Sequence, residues 1–366
     1  MTMRTSPPFR ADHVGSLLRS PAVARARAQF AQGDIGAAEL KAIEDREIQK
    51  IVGMQQAIGL RSVTDGEYRR SWWHFDFFGM LDGVELRESS SGIQFQGTQT
   101  KALAPHIVGP LGFPRDHPML DHFRFLKSCT TATAKMTIPS PNVLHFRLAS
   151  VDRKLYGDRD ALFNALAETY RQAMKAFYDA GCRYLQFDDT AWAYLCSKDE
   201  VEKAKQRGTD TENLAQSYAG MINQVLAAKP ADMTITTHIC RGNFRSTWIT
   251  SGGYGPVAEM LFGACNYDGY FLEYDSDRAG GFEPLRFVPK GKTVVLGLIT
   301  TKEPQLESED ELLRRIEQAA KYVAMENLAL STQCGFASAA SGNLLSWDDM
   351  RRKLELVTKV ARRVWG

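Results

Sequence analysis

Thr234-Ile-Thr-Thr-His-Ile-Cys240 is a β-rich run that ends in two side chains able to bind a metal ion. Residues i and i+2 of a strand point to the same side, so the His238 imidazole and the Cys240 thiol are expected to converge where the strand ends. Two ligands cannot complete a zinc site, which takes four, or three and an open position. The run therefore predicts that further ligands come from elsewhere in the chain.

Composition narrows the class of protein. The chain has 366 residues, of which 44% are hydrophobic and 24% charged, and its net charge is +2. This balance gives no electrostatic reason to expect nucleic acid or an anionic membrane as a partner. No secretory signal and no membrane-spanning run is predicted, and six scattered cysteines do not indicate a disulfide framework. A cytoplasmic location is expected, where thiols stay free.

Eight β-rich runs alternate with helical patterns along the chain. The predicted strands cover residues 10–18, 61–67, 131–139, 184–188, 233–240, 269–274, 293–300 and 328–334. A long helix is predicted over 198–228. This alternation favours an α/β fold, a (β/α)8 barrel forming one domain over 1–366, with a β-hairpin insertion at 83–110 after the second strand. A doubly wound sheet is the alternative, but no strand is followed by a Gly-x-Gly-x-x-Gly turn.

Polar side chains stand at the ends of the predicted strands, which is where barrel enzymes place their active sites. They are Ser16, Glu67, Asp188, Asp189, His238, Cys240, Glu273 and Cys334. One imidazole, two thiolates and one carboxylate, from His238, Cys240, Glu273 and Cys334, form a donor set that zinc accepts. The alternative is a hydrogen-bonded core histidine beside two small buried cysteines.

Several short motifs resemble the catalytic C-terminal barrel of cobalamin-independent methionine synthase. In chain order these motifs are Val14-Gly-Ser16, Asp65-Gly-Glu-Tyr-Arg69, Leu185-Gln-Phe-Asp-Asp189, Thr237-His-Ile-Cys240, Leu272-Glu273 and Gln333-Cys-Gly335. The resemblance implies a zinc-dependent S-methyltransferase that activates a thiol, homocysteine, as a zinc-bound thiolate and forms methionine. It implies His238, Cys240, Glu273 and Cys334 as the zinc ligands.

The resemblance also implies how the amino-acid part of the substrate is held. Glu67 and Asp188 would bind the ammonium group, and Ser16 with its turn would bind the carboxylate. Two carboxylates facing a cation are charge-complementary. The residues themselves allow other roles: an ion pair from Glu67 to Arg69 or Arg70, and a capping role for Ser16.

The parts of the chain expected to act on the methyl donor differ from those of the family. Full-length members carry an additional N-terminal barrel that helps to bind a polyglutamylated folate, and no such barrel is expected within these 366 residues. Where the family has an Asp-x-His pair that protonates the folate leaving group, Thr300 and Lys302 stand instead. The methyl donor is therefore left open, and a corrinoid or another methyl-carrier protein is one possible source. Further candidates for donor-side or supporting roles are Asp189, Trp192, Lys302 and His13.

Two other functions fit the same residues. One is a related zinc thiol-alkyltransferase, such as an enzyme that opens epoxides with coenzyme M. Glu67 and Asp188 argue against it, because a sulfonate thiol has no ammonium group for them to bind. The other is a non-catalytic zinc barrel, which predicts a closed site with four protein ligands. The oligomeric state is not indicated by the sequence.

Overall fold

A computed structural model describes residues 4–90, 92–100, 102–206 and 208–366. In chain order its strands are β1 (Ser62–Val63), β2 (Asp82–Glu88), β3 (Gln94–Phe95), β4 (Thr98–Gln99), β5 (Leu103–Gly112), β6 (Thr133–Pro139), β7 (Ser150–Val151), β8 (Tyr184–Asp189), β9 (Thr234–Ile239), β10 (Gly269–Glu273), β11 (Thr293–Ile299) and β12 (Leu328–Thr332). Its helices are α1 (Pro21–Gln32), α2 (Ala37–Ile58), α3 (Phe75–Phe78), α4 (Pro118–Ser128), α5 (Pro141–Arg147), α6 (Arg159–Asp179), α7 (Ala191–Leu195), α8 (Lys198–Gln206), α9 (Leu214–Leu226), α10 (Glu309–Ala319) and α11 (Trp347–Trp365).

The central sheet is parallel and curls into a barrel. Its strand order is β1-β6-β8-β9-β10-β11-β12, so neighbours in the sheet follow one another along the chain. The segment before α1 lies between the two edges: Ala11 bridges Leu330 in parallel, and the Leu17 amide donates to the Gly66 carbonyl at 3.0 Å. The predicted barrel is confirmed, but its first strand, expected over 10–18, is reduced to the bridge at Ala11.

The predicted helix over 198–228 is wrong, because two helices, α8 and α9, occupy that region. Gly208 has a φ of +84° and Asn213 a φ of +51°, both in the left-handed region that an α-helix does not use. Asn213 is the residue that precedes α9. The polar stretch Gly208-Thr-Asp-Thr-Glu-Asn213 separates the two helices, and the prediction ran through it.

An antiparallel ribbon follows the second barrel strand, as predicted over 83–110. β2 pairs with β5, and β3 pairs with β4 at its tip. The tip reaches a barrel loop, since the Gln96 amide donates to the Trp248 carbonyl at 3.0 Å and the Phe95 ring lies 5.4 Å from the Phe244 ring. The extent of the domain, 1–366, stays a prediction.

A buried ion pair lies inside the barrel. Lys135 Nζ is 3.3 Å from an Asp12 carboxylate oxygen, and both side chains are 0% exposed. Asp12 also accepts hydrogen bonds from Tyr184 and Ser62, each at 2.9 Å. Lys135 Nζ lies 4.0 Å from the centre of the Phe271 ring. The pair and its contacts therefore join four strands, β1, β6, β8 and β10, and the first segment.

Across the part of the chain that the structure describes, the helices are too short or too polar to pass through a lipid bilayer.

Candidate metal centre and active site

Four ligand-capable side chains meet at the ends of three barrel strands. His238 comes from β9 and Cys240 directly follows it, Glu273 ends β10, and Cys334 follows β12. One donor atom from each lies within 4.8 Å of the others, and all four residues are buried. The Cys240 and Cys334 sulfur atoms are 3.6 Å apart. The parallel barrel brings together residues that are 96 positions apart at the extremes, from His238 to Cys334.

Several atoms of this cluster are buried without a hydrogen-bond partner among the described residues. They are both ring nitrogens of His238 and Oε2 of Glu273. The other Glu273 oxygen accepts from the Arg241 amide at 2.8 Å, and the Gly242 amide lies 3.4 Å from the Cys240 sulfur. Buried polar atoms are rarely left unpaired, because each costs about 1–3 kcal/mol. The cluster therefore has the donors, the spacing and the unsatisfied atoms that suit a bound cation.

The electrostatics of the cluster also favour a cation. Burial and the neighbouring Cys334 raise the pKa of Glu273 to about 7. The hydrogen bond between the two thiols raises the pKa of Cys240 and lowers the pKa of Cys334. Three acidic groups lie together in a buried space, where their ionised forms repel one another. A divalent cation would reduce that repulsion.

A second group of polar residues lines the same small cavity. Ser16, Glu67 and Asp188 share it with His238, Cys240 and Cys334, and its volume is about 20 Å³. Burial raises the pKa of Asp188 to about 7, with the neighbouring Glu67 adding to the rise, and burial also raises the pKa of Glu67. The two acids therefore line the same cavity as the cluster, where a positively charged group would be stabilised.

Glu67 is held in an unusual backbone conformation. Its φ is +60°, and the Gly66 before it has a φ of +66°, so two successive residues lie in the left-handed region. One carboxylate oxygen accepts from the Thr137 hydroxyl at 2.9 Å and lies 3.5 Å from Arg70 Nη1. The ion pair to Arg70 that the sequence allowed is thus present, and the second oxygen, Oε2, has no hydrogen-bond partner among the described residues. That oxygen is available to a ligand.

Ser16 is packed against the loop that follows the last barrel strand. Its hydroxyl accepts from the Ala337 amide at 3.3 Å, and its carbonyl accepts from the Phe336 amide at 2.8 Å. A Cβ atom on Gly335 would lie 2.0 Å from the Ser16 hydroxyl, so only glycine allows this approach. Ser16 therefore has a structural hydrogen bond and a place on the cavity wall.

Asp189 and Trp192 do not line the cavity. Asp189 points to the other side of β8, as strand alternation predicts, and accepts from the Ser140 hydroxyl at 2.7 Å and from the Asn142 side chain at 2.8 Å. Trp192 is fully buried, and its ring packs edge-on to Tyr218 at 6.0 Å. Both support the loops around the site.

His13 and Lys302 also lie outside the cavity wall. His13 is buried beside the Asp12–Lys135 pair, and burial together with Lys135 lowers the pKa of its imidazole to about 4. Lys302 donates to the Asn243 side chain at 2.9 Å and to the carbonyls of Thr247 at 3.1 Å and Gly242 at 3.3 Å. It therefore ties the loop after β9 to the loop after β11.

Trp73, Gly335 and Ser338 line the cavity although no site role was predicted for them. The Trp73 amide donates to the Ser338 carbonyl at 3.0 Å, and the Asn243 amide side chain donates to the Gly335 carbonyl at 2.6 Å. These contacts join three loops across the barrel mouth. The one sequence feature that could have indicated Trp73 is the run Trp72-Trp73-His74-Phe75, which follows the second barrel strand.

Comparison with known proteins identifies the family. The profile described as the catalytic domain of cobalamin-independent synthase matches residues 9–363. The chain belongs to this family. It is a methyltransferase with a barrel fold, as the resemblance implied.

The relatives fall into two groups. YxjH and YxjG of Bacillus subtilis strain 168 are 51% and 49% identical, covering 98% and 99% of this chain and 95% and 96% of their own lengths. A 5-methyltetrahydropteroyltriglutamate–homocysteine methyltransferase of Acidiphilium cryptum is 24% identical over 98% of this chain. The match covers only 43% of that enzyme's length. This chain therefore corresponds to one part of the longer enzymes and to nearly the whole of the shorter proteins.

Solved structures agree with the fold. A crystal structure from Listeria monocytogenes, provisionally named a vitamin-B12-independent methionine synthase, has 43% identity and a TM-score of 0.82, covering 99% of this chain and 100% of that one. A B12-independent methionine synthase from Shewanella sp. W3-18-1, solved with selenomethionine, has a TM-score of 0.73 at 21% identity and covers 97% of each chain. The second likeness shows the fold alone.

Proposed function

We propose that this methyltransferase transfers a methyl group to the thiol of homocysteine and forms methionine, with zinc held by His238, Cys240, Glu273 and Cys334. The observation that carries the proposal is a buried cluster of four ligand-capable side chains, three of which, His238, Cys240 and Cys334, line one small cavity together with Glu67, Asp188 and Ser16. The family match and the longer homocysteine methyltransferases support it. Small molecules, a thiol and a methyl donor, are the expected partners.

Zinc would supply the activation of sulfur, because a free thiol has a pKa of about 8.5 and coordination to Zn²⁺ removes its proton. The protein's own residues would do the rest. Glu67, through its unpaired Oε2, and Asp188 would bind the substrate ammonium, and the Ser16 hydroxyl would bind the carboxylate. Fixing both ends of the amino acid aims its side-chain sulfur at the metal ligands. Burial of the cavity keeps water from competing for the methyl group.

Substitution of one ligand cysteine tests the metal assignment. Cys334→Ser should lose bound zinc and methionine formation, because serine is a poor zinc ligand at neutral pH. Cys265→Ser is the matched control, since Cys265 is another buried cysteine of this chain but lies outside the cluster. Zinc content by elemental analysis and methionine by mass spectrometry are the readouts. Full zinc occupancy and activity in Cys334→Ser would refute the proposed ligand set.

Ligand binding separates homocysteine from a sulfonate thiol. Calorimetry with the zinc-loaded protein should show homocysteine binding at least tenfold more tightly than coenzyme M, because only homocysteine offers an ammonium to Glu67 and Asp188. A preference for coenzyme M would point to the related alkyltransferase instead. A thiol that leaves the zinc absorption edge unchanged would indicate a closed, non-catalytic site.

A further inference from the structure

The described side chains that line the catalytic cavity include acids but no lysine or arginine. They are Val14, Ser16, Glu67, Trp73, Asp188, His238, Cys240, Cys334, Gly335 and Ser338. Arg70, the cation beside Glu67, is not part of this wall and already has partners. Arg70 binds Glu67 and donates to the Thr137 carbonyl at 2.6 Å. A ligand that enters beside the metal ligands therefore meets negative groups and one aromatic ring.

The loop after β11 offers no proton to a departing group. The ammonium of Lys302 has three donor positions, and the structure gives it three acceptors, in Gly242, Asn243 and Thr247. The Thr301 hydroxyl donates within the protein, to the Gln333 side chain at 2.9 Å. Glu67 and Asp188 are the remaining acids of the wall, and the proposed function commits both to the substrate ammonium.

This arrangement limits the chemistry of the methyl donor. A methyl group on a neutral tertiary amine leaves an amide anion behind unless an acid supplies a proton. A methyl group on a positively charged sulfur leaves a neutral thioether, and no proton is needed. The second kind of donor fits a cavity whose acids are committed elsewhere.

We propose that the methyl donor is a small methylsulfonium cation, an inference that rests on the proposed function. The homocysteine thiolate attacks the methyl carbon and forms the new S–CH3 bond. The old C–S⁺ bond breaks, and its electron pair stays on the donor sulfur, which becomes a neutral thioether. One negative and one positive charge cancel, so the products, methionine and the thioether, need no further reactant.

The cavity wall contains groups that would bind such a cation. Trp73 lines the cavity, and a sulfonium placed against an indole face gains a cation–π attraction. Two wall carboxylates face a single substrate ammonium, so the wall keeps a negative charge that attracts the sulfonium and opposes a donor that carries several carboxylates. Transfer also removes the donor's charge, so the neutral thioether product binds less well than the donor and can leave.

Methyl transfer from labelled donors tests the inference. Zinc-loaded protein and homocysteine are incubated with S-methylmethionine or dimethylsulfoniopropionate carrying deuterated methyl groups. Controls receive 5-methyltetrahydrofolate, as the monoglutamate and the triglutamate, or methylcobalamin. Labelled methionine should form at least tenfold faster from a sulfonium than from either folate. A folate or methylcobalamin rate that equals or exceeds the sulfonium rates would overturn the inference.

Calorimetry with homocysteine alone distinguishes a wrong methyl donor from a wrong acceptor. Binding of homocysteine without transfer from either sulfonium overturns the donor inference and leaves the proposed function standing. Failure to bind homocysteine overturns both.

Trp73 provides a second test that does not depend on complete loss of activity. Trp73→Leu should raise the KM for the sulfonium roughly tenfold, because it removes the cation–π contact, whereas Trp73→Phe should keep most of the affinity. Trp248→Leu is the control: Trp248 packs under the Arg278 guanidinium at 4.6 Å and is not part of the cavity wall. Equal KM values for Trp73→Leu and the parent protein would refute the recognition step.

Discussion

Two adjacent aspartates at the end of β8 allow a sharp test of substrate recognition. Asp188 lines the cavity, and Asp189 points away from it, towards the Ser140 hydroxyl and the Asn142 side chain, each within 2.8 Å. Asp188→Asn should weaken ligand binding, because a hydrogen bond to a charged partner contributes about 1.5–3 kcal/mol, or roughly a 10- to 150-fold change in Kd. Asp189→Asn removes a neighbouring charge and should change the affinity little.

The pH dependence of binding follows from the burial of Asp188. Burial raises the pKa of its carboxyl to about 7 from an ordinary value of 3.8. Only the ionised form attracts an ammonium, and its fraction rises from about one tenth at pH 6 to about nine tenths at pH 8. Affinity should therefore increase about tenfold over this interval in the parent protein, and the increase should be absent in Asp188→Asn.

The stability of the folded protein should fall as pH rises, whereas ligand affinity should increase. A group whose pKa is raised on folding favours the folded state below its unfolded pKa, and this contribution is lost as pH rises through the folded value. Above pH 7 the buried carboxylate of Asp188 therefore costs stability, at most about 4 kcal/mol for a shift of this size. Asp188→Asn should unfold at a higher urea concentration than the parent at pH 8, although it binds the ligand less well.

Calorimetry with methionine and zinc-free protein is the appropriate assay. Methionine carries the same ammonium and carboxylate as homocysteine, and its thioether does not titrate, so the pH profile reports on the protein. The reasoning about Asp188 fails if Asp188→Asn binds methionine within threefold of the parent. It fails equally if Asp189→Asn loses as much affinity as Asp188→Asn.

Two further substitutions test the barrel interior and the cavity wall. Lys135→Met should lower the free energy of unfolding by about 3–5 kcal/mol, because it leaves Asp12 buried without its cation; urea unfolding beside the double variant with Asp12→Asn, which should recover part of the loss, checks this. Gly335→Ala should destabilise the protein by about 1–3 kcal/mol and weaken homocysteine binding, since the new methyl group would stand 2.0 Å from the Ser16 hydroxyl. A Gly335→Ala variant with the parent's melting temperature and affinity would show that Ser16 can move freely.

The strands and the metal cluster could be predicted because one rule governs both. A parallel barrel places the carboxyl ends of its strands at one rim, so polar residues at those ends meet however far apart they lie in sequence. His238 and Glu273 are thereby joined without any local motif. Alternation along β8 likewise separates Asp188 from Asp189 correctly, because the side-chain period of a strand is two.

Loops do not follow such a rule, and the sequence was least informative there. Trp192 follows the same strand as Asp188, yet its ring turns into the core against Tyr218. His13 lies three residues before Ser16, yet it is buried and is not part of the cavity wall. The partners of Lys302 lie 55 to 60 residues earlier in the chain. Such side-chain directions are set by tertiary packing, which no short-range spacing records.

The loops at the mouth of the barrel close the site, and the remaining cavity is small. A volume of about 20 Å³ holds roughly one water molecule and is too small for an amino acid. The wall is closed by contacts between loops: Trp73 to Ser338, and the stacked rings of Trp72 and Phe244 with centres 5.6 Å apart. Under the proposed function these loops must separate for homocysteine to enter, and the contacts that close them again would exclude water before the methyl group moves. The binding energy of the amino-acid ends would then be used to hold the loops closed during the reaction.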